Sequence, residues 1–282
     1  MPSRYAFSAE NLKTMYEEPW MLAAPAFRVF GNLYFVGNQD GASWLLDTGD
    51  GLVLFDTNYP TAAALLIHSI WSLGFQPQQI RAIFHTHGHF DHFGATALLR
   101  ELSGAETFLG EADARMFKER PELSCIGDNR NAPLSLFDPD VRVRDGDTFR
   151  YGSTVIRAVS CPGHSPGATS WFFPISDGKR TLLAGLHGGA GLNTLCRDYR
   201  EQYRVDWRDD FLQSIEKVRN EPVDIFLGNH TGQNQCLEKY RRMKAGEENP
   251  LIDPNAWREF LADVESRFHR MLEEERLGTD RI

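Results

Sequence analysis

Four histidines and one aspartate fall within eight residues, in the run His85-Thr86-His87-Gly88-His89-Phe90-Asp91-His92. A solvated surface has no use for that density. An apolar core does not tolerate it, because each imidazole brings two polar nitrogens that need partners. Metal ligation accounts for it: imidazole nitrogen and carboxylate oxygen are usual zinc donors, with cysteine thiolate the softer option. His87 and His89 lie two apart, so on an extended segment they project the same way. Asp91 and His92 follow at once, where the chain has to turn.

Two further histidines stand in loops rich in turn residues. His164 lies between two Pro-Gly pairs in Cys161-Pro162-Gly163-His164-Ser165-Pro166-Gly167, and His230 ends an apolar run in Leu227-Gly228-Asn229-His230-Thr231-Gly232. The flanking glycines permit positive φ and close backbone approach. With the cluster they complete six candidate ligands: His87, His89, Asp91, His92, His164 and His230. Six is enough for two three-ligand zinc sites with open coordination positions. His85, on the preceding strand, reads as core or support rather than as a ligand. His187, in the run Gly185-Leu186-His187-Gly188-Gly189-Ala190-Gly191, is a candidate for lining the pocket. His68 and His269 read as helix-surface residues. Cys125, Cys161, Cys196 and Cys236 form no Cys-x-x-Cys pair, so they read as four small buried thiols, with Cys161 the one near a candidate ligand.

These side chains must be held by a scaffold. The apolar run 80–84 reads as a short buried strand and 93–102 as a helix, which puts the cluster on a strand-to-helix loop at a sheet end. Upstream, 27–30, 33–36, 43–46 and 52–55 alternate in the manner of a β-meander, with Asp50-Gly51 as a hairpin turn. A helix is expected over 61–73, a strand over 106–109 and a helix over 111–118. Residues 120–140 carry Pro121, Gly127, Pro133 and Pro139 and are expected to form a long functional loop. Strands follow at 148–151, 154–160, 169–174 and 181–184, a helix at 207–220, a strand at 223–227, and helices at 235–245 and 254–275. Strands then helices, twice, predicts an α/β fold: a single domain of two βα halves, roughly 20–140 and 141–282, packed sheet to sheet with helices outside. In the last helix Trp257, Phe260, Leu261, Val264 and Phe268 share one face, which is expected to pack in the core.

At 282 residues the chain can bury a sizeable core. Its net charge of -9 disfavours nucleic acid as a partner. No apolar stretch approaches the ~20 residues of a membrane span, so no membrane partner is expected. The first ten residues have no apolar signal core. A native start at Met1 implies the cytoplasm; a removed leader implies a periplasmic or secreted protein. Oligomeric state is not legible here.

The run His87-Gly88-His89-Phe90-Asp91-His92 resembles the H-x-H-x-D-H signature of the metallo-β-lactamase superfamily. The likeness extends over nearly the whole chain and is nearest to the third subclass of class B zinc β-lactamases. It is carried further by Glu18-Pro19-Trp20, by the segment from Pro162-Gly163-His164 to Trp171, by the helix at 207–218 with the strand after it, and by Asn249-Pro250-Leu251-Ile252-Asp253-Pro254. The resemblance implies a four-layer αβ/βα sandwich with two Zn²⁺ ions at one edge between the sheets. It implies a first zinc on His87, His89 and His164, a second on Asp91, His92 and His230, and a catalytic Asp91 that orients the nucleophile. The activity implied is hydrolysis of the β-lactam amide of a small-molecule substrate, and with it antibiotic resistance. Bound zinc lowers the pKa of water toward about 7, so hydroxide is available at neutral pH.

Three departures bear on substrate. The subclass usually reads Ala-Asp-Ser after the 181–184 strand, with serines that help place the substrate carboxylate. Here the chain reads Ala184-Gly185-Leu186-His187-Gly188, which leaves Leu186 and His187 as candidate substrate contacts. Leu186 also cannot supply the metal-bridging aspartate of glyoxalase-type and lactonase-type relatives, which argues against those families. Thr231 stands where a proline is familiar. The alternative is therefore a metallo-hydrolase of the same fold for another ester, lactone or amide, with its pocket built from Leu186, His187 and the 120–140 loop. A two-iron redox enzyme would want more carboxylate ligands and a flavin module. A nuclease would want a basic surface.

Overall fold

The computed structural model describes residues 3–5, 9–125 and 136–281. A helix α1 (Ala9–Glu17) precedes a seven-stranded sheet whose strands lie in chain order: β1 (Phe27–Phe30), β2 (Leu33–Phe35), β3 (Trp44–Asp47), β4 (Leu52–Phe55), β5 (Ile80–Phe84), β6 (Glu106–Gly110) and β7 (Val141–Val143). The first four are antiparallel neighbours joined by short turns. From β4 onward the pairs are parallel, because helical crossovers now connect them. Those helices are α2 (Ala63–Ser72), the single turn α3 (Phe90–Phe93), α4 (Thr96–Ser103) and α5 (Glu111–Glu119). The expected helix at 93–102 is thus two pieces, and Asp91 and His92 lie on the first of them.

The second sheet has the order β12-β11-β10-β9-β8. Its strands are β8 (Thr148–Tyr151), β9 (Thr154–Ser160), β10 (Thr169–Ser176), β11 (Thr181–Leu186) and β12 (Ile225–Leu227). All are antiparallel except β11 with β12. Helices α6 (Arg197–Tyr203), α7 (Arg208–Val218), α8 (Thr231–Asn234), α9 (Cys236–Lys244) and α10 (Ala256–Leu277) follow. The chain changes sheets after β7, which pairs with β6, so the change comes a few residues later than a division at residue 141. Strand β7 and helices α1, α6 and α8 are additional to the elements expected from sequence. The expected 120–140 loop opens with a short 3-10 turn at Pro121–Ser124, and its centre lies outside the described residues.

Strand alternation sorts the apolar side chains into layers. Phe27, Phe35, Trp44, Phe55, Phe84 and Phe108 point inward from the first sheet, against Ile156, Trp171, Phe173, Leu186 and Leu227 of the second. Phe55 stacks on Phe173 at 4.6 Å and Phe84 meets Trp171 edge-on at 4.8 Å. Each such buried side chain contributes about 1.5–3 kcal/mol. On the outer faces, Leu45, Leu54 and Ile83 cover α2 and α4 through Leu66, Ile70 and Leu99. Phe172 and Phe226 cover α7 and α10 through Phe211, Ile215, Trp257, Leu261 and Phe268. The result is the expected four-layer αβ/βα sandwich, with the α10 apolar face in its core. No helix among the described residues is long and apolar enough to cross a membrane.

Candidate metal centre

The six candidate ligands converge at one end of the sandwich in two groups: His87, His89 and His164, and Asp91, His92 and His230. His87 and His89 leave the end of β5, while α3 turns Asp91 and His92 back toward them. His164 comes from the turn between β9 and β10, and His230 from the end of β12. Within the first group His89 Nδ1 lies 3.1 Å from His164 Nε2, and His87 has its ring centroid 4.6 Å from His89 and 4.7 Å from His164. Within the second, Asp91 Oδ2 lies 3.5 Å from both His92 Nε2 and His230 Nε2.

These groups fit metal ions. Tetrahedral zinc with nitrogen bonds of about 2.0–2.1 Å places its ligand atoms roughly 3.3 Å apart. His87 Nε2 and His92 Nε2 are buried without a hydrogen-bond partner, a costly condition that a cation relieves. The outer nitrogens fix the tautomers. His92 Nδ1 donates to Asp56 Oδ2 at 2.8 Å, and His164 Nδ1 donates to the Gly191 carbonyl at 2.9 Å. Thr86 Oγ1 donates to Asp56 Oδ2 at 2.7 Å and so accepts from His87 Nδ1 at 3.0 Å. Each arrangement leaves the lone pair on the Nε2 that faces the group, as metal-bound histidine requires.

Burial and the neighbouring imidazoles hold His87 and His89 well below the ordinary histidine range, so both are neutral. Burial brings His164 down to about 4. The second group is polarised. Burial opposes charge on Asp91, but His92 and His230 hold it below the usual carboxylate range. Burial opposes charge on His92 as well, and Asp91 and Asp56 outweigh it, so a metal ion would bind there in exchange for the Nε2 proton. Behind His230, Asp40 Oδ1 lies 3.5 Å from Nδ1.

The His230 loop is laced to the loop at 38–43. Trp44 Nε1 donates to the Gly228 carbonyl at 2.8 Å and Ala42 N to the Asn229 carbonyl at 3.0 Å. Thr231 donates its amide to Asp40 O at 2.9 Å and its hydroxyl to Gln39 O at 2.6 Å. A proline at 231 would forgo both bonds. Gln39 Nε2 in turn reaches the carbonyls of Met21 and Ala23, tying in the lead-in segment with its exposed Trp20.

The remaining candidates divide. His85 is fully buried, with Nδ1 2.8 Å from the Phe108 carbonyl and Nε2 2.7 Å from Thr96 Oγ1, which is a support role. His68 and His269 are exposed on helices. All four cysteines are buried, and burial pushes the Cys161 thiol up to about 11. Leu186, expected as a substrate contact, is instead fully buried in the inter-sheet core, because it is an inward position at the end of β11. His187 is also buried. It packs on Trp257 and on Phe260, which lines the cavity, and takes the Gly189 amide on Nδ1 at 3.1 Å, so it sits behind the lining rather than in it. The cavity, about 830 Å³, opens over His89, Asp91, His164 and His230 and is walled by Met15 and Asn193 among others. Asp56, Asp40 and Asp113 were not singled out from sequence. For Asp56 a signal existed: it directly follows the wholly apolar strand β4, where an acid has no solvent to face. Asp113 is fully buried, and burial pushes its acid up to about 6 against three hydrogen-bond donors.

A sequence profile of the metallo-β-lactamase superfamily matches residues 36–247. Among curated proteins, a hydroxyacylglutathione hydrolase of Anaeromyxobacter dehalogenans is 30% identical over 157 residues, 54% of this chain and 51% of that protein. An uncharacterized protein of Aquifex aeolicus is 28% identical over 110 residues, 38% of this chain and 48% of that one. The chain spans about half the length of these curated relatives. Among solved structures, BJP-1, a subclass B3 metallo-β-lactamase of Bradyrhizobium japonicum, superposes with a TM-score of 0.82 at 28% identity, over 93% of this chain and 98% of that one. The FEZ-1 metallo-β-lactamase from Legionella gormanii gives 0.81 at 26% identity, over 90% and 98%. With the profile covering most of its length and the six donors gathered as described, the chain belongs to the metallo-β-lactamase superfamily.

Proposed function

We propose that this single hydrolase domain, built of two βα halves, holds two Zn²⁺ ions and opens the amide bond of β-lactam rings. The observation that carries the reading is the pair of three-ligand groups side by side at the floor of one cavity, on a fold matching subclass B3 β-lactamases over nearly their full length. Histidine nitrogen with a single carboxylate is a donor set that zinc takes. Two zinc ions there would polarise the substrate carbonyl and make a water acidic enough to attack at neutral pH.

The chain's own residues supply the rest. Asp91 divides its oxygens: Oδ2 faces His92 and His230, and Oδ1 is buried without a partner. Oδ1 is placed to accept the proton of the attacking water and so orient its lone pair. In the balanced reaction a C–O bond forms, the ring C–N bond breaks and the nitrogen takes up a proton. No side-chain nucleophile is used. Ser165 Oγ is engaged with Asp113 at 2.7 Å, and Cys161 is buried and protonated. The cavity lies within the roughly 300–1,000 Å³ of small-molecule sites.

A second reading, hydrolysis of another ester, thioester, lactone or amide, is favoured by the burial of Leu186 where the subclass has serine, and by the hydroxyacylglutathione hydrolase relatives. The test is turnover of nitrocefin, a penicillin and a carbapenem before chelation, after it, and after zinc is restored. Turnover that disappears and returns with zinc is expected. Fully zinc-loaded protein that cleaves a lactone or thioester but no lactam would reject the first reading and select the second.

A further inference from the structure

Asp113 touches none of the six ligands, yet it binds both loops that carry the first group. It lies in the first turn of α5, fully buried. Its Oδ2 accepts from the Gly88 amide at 2.6 Å and from Ser165 Oγ at 2.7 Å, and its Oδ1 accepts from the Gly167 amide at 2.6 Å. Gly88 separates His87 from His89, and Ser165 follows His164. One carboxylate therefore spans the β5 side and the β9–β10 side of the site.

The packing around it is close. A Cβ on Gly88 would come within 2.9 Å of Met116 and Phe117 and 3.2 Å of the Asp113 Cβ. A Cβ on Gly167 would come within 2.8 Å of the Asp113 Cβ and Cγ. Both loops rest directly on α5, and only glycine allows the approach. All three groups facing the carboxylate are donors. An amide in its place would turn its NH₂ against one of them, leaving two donors opposed and a buried N–H unsatisfied.

We propose that Asp113 is a positioning residue that sets the separation between the His87–His89 loop and the His164 loop, and with it the geometry of the first metal site. The proposal rests on the reading of that triad as a metal site. Ligands must be held to within about 0.5 Å for a site to keep its metal and geometry. Loss of a group bonded directly to a ligand typically costs about 10–100-fold in affinity, and Asp113 acts one residue further out, so the lower end of that range applies.

The test is cobalt titration of metal-free protein, followed by calorimetry and visible absorption. The two sites are told apart by the bands lost in His164→Ala and in His230→Ala. Wild type is expected to bind two equivalents. Asp113→Asn is expected to lose about tenfold in first-site affinity, to change the first-site bands, and to leave the second site within twofold. Ser165→Ala, which removes one bond and no backbone contact, is expected to lose several-fold at the same site. If Asp113→Asn does not fold, Ser165→Ala decides alone. Folded variants with wild-type affinity and spectrum, or with equal losses at both sites, overturn the positioning role and leave the hydrolase reading standing. A wild-type protein that binds no cation overturns both.

Discussion

The two ligand groups are neighbours, with the His87 and His92 ring centroids 4.1 Å apart, yet they are built on different principles. The first is three neutral histidines drawn from both sides of the sandwich. The second has a carboxylate among its ligands, and a carboxylate behind each histidine: Asp56 at 2.8 Å from His92 and Asp40 at 3.5 Å from His230. The first site depends on how well two loops are held apart; the second depends on charge. Negative charge close to a cation is worth more in a buried setting than at a surface, so the second site is expected to take the first equivalent of metal.

Substitutions can break that contrast, beginning with the largest effect. His89→Ala removes a candidate ligand of the neutral site and is expected to lower kcat about 10²–10³-fold, as loss of transition-state charge stabilisation does; wild-type turnover would remove His89 from the site. Asp91→Asn strips the charge from the second site. Removing one partner of a buried charged group costs about 3–5 kcal/mol, so second-site affinity should fall by at least about 10²-fold while calorimetry finds the first site little changed. Asp56→Asn should weaken both sites by about 10–100-fold, since Asp56 backs His92 directly and His87 through Thr86. Asp40→Asn should act on the second site alone, and by about tenfold at most, because Asp40 lies farther from its histidine and is partly exposed.

The last effect concerns stability against pH and leaves turnover aside. Burial pushes His187 down to about 3 and His85 down to about 4. A folded-state value below the unfolded one means that the unfolded chain takes the proton first. Stability is then complete above about pH 6.5 and falls as the pH drops toward 4. Each such histidine contributes a slope of about 1.4 kcal/mol per pH unit. Denaturation of metal-free His187→Phe across that range should show a slope shallower by about one proton. An unchanged slope would mean that His187 is charged in the folded state.

The same contrast explains what could be read from the chain. The six candidate ligands could be picked out because histidine at that density, and in Gly-rich turns, has few other physical uses. The sheets were legible because Trp44, Phe55, Phe84 and Trp171 follow strand alternation. Strand β7 was not: three residues, Val141–Val143, are too short to show a period. Asp113 was hidden for another reason. On a helix it reads as an ordinary first-turn acid, and only the folded chain brings Gly88 and Gly167 onto it. Leu186 misled because its place in the chain suggested the cavity rim, whereas the pleat turns it into the core. Local chemistry is written in local sequence, but partners brought together by long-range packing are not.

The most direct measurement is anomalous diffraction at the zinc absorption edge from crystals grown with zinc. Two peaks are predicted, one enclosed by His87, His89 and His164 and the other by Asp91, His92 and His230. A zinc-saturated crystal with no peak between these side chains, or with its zinc bound elsewhere, would contradict the assignment of this cavity as a two-metal hydrolytic centre.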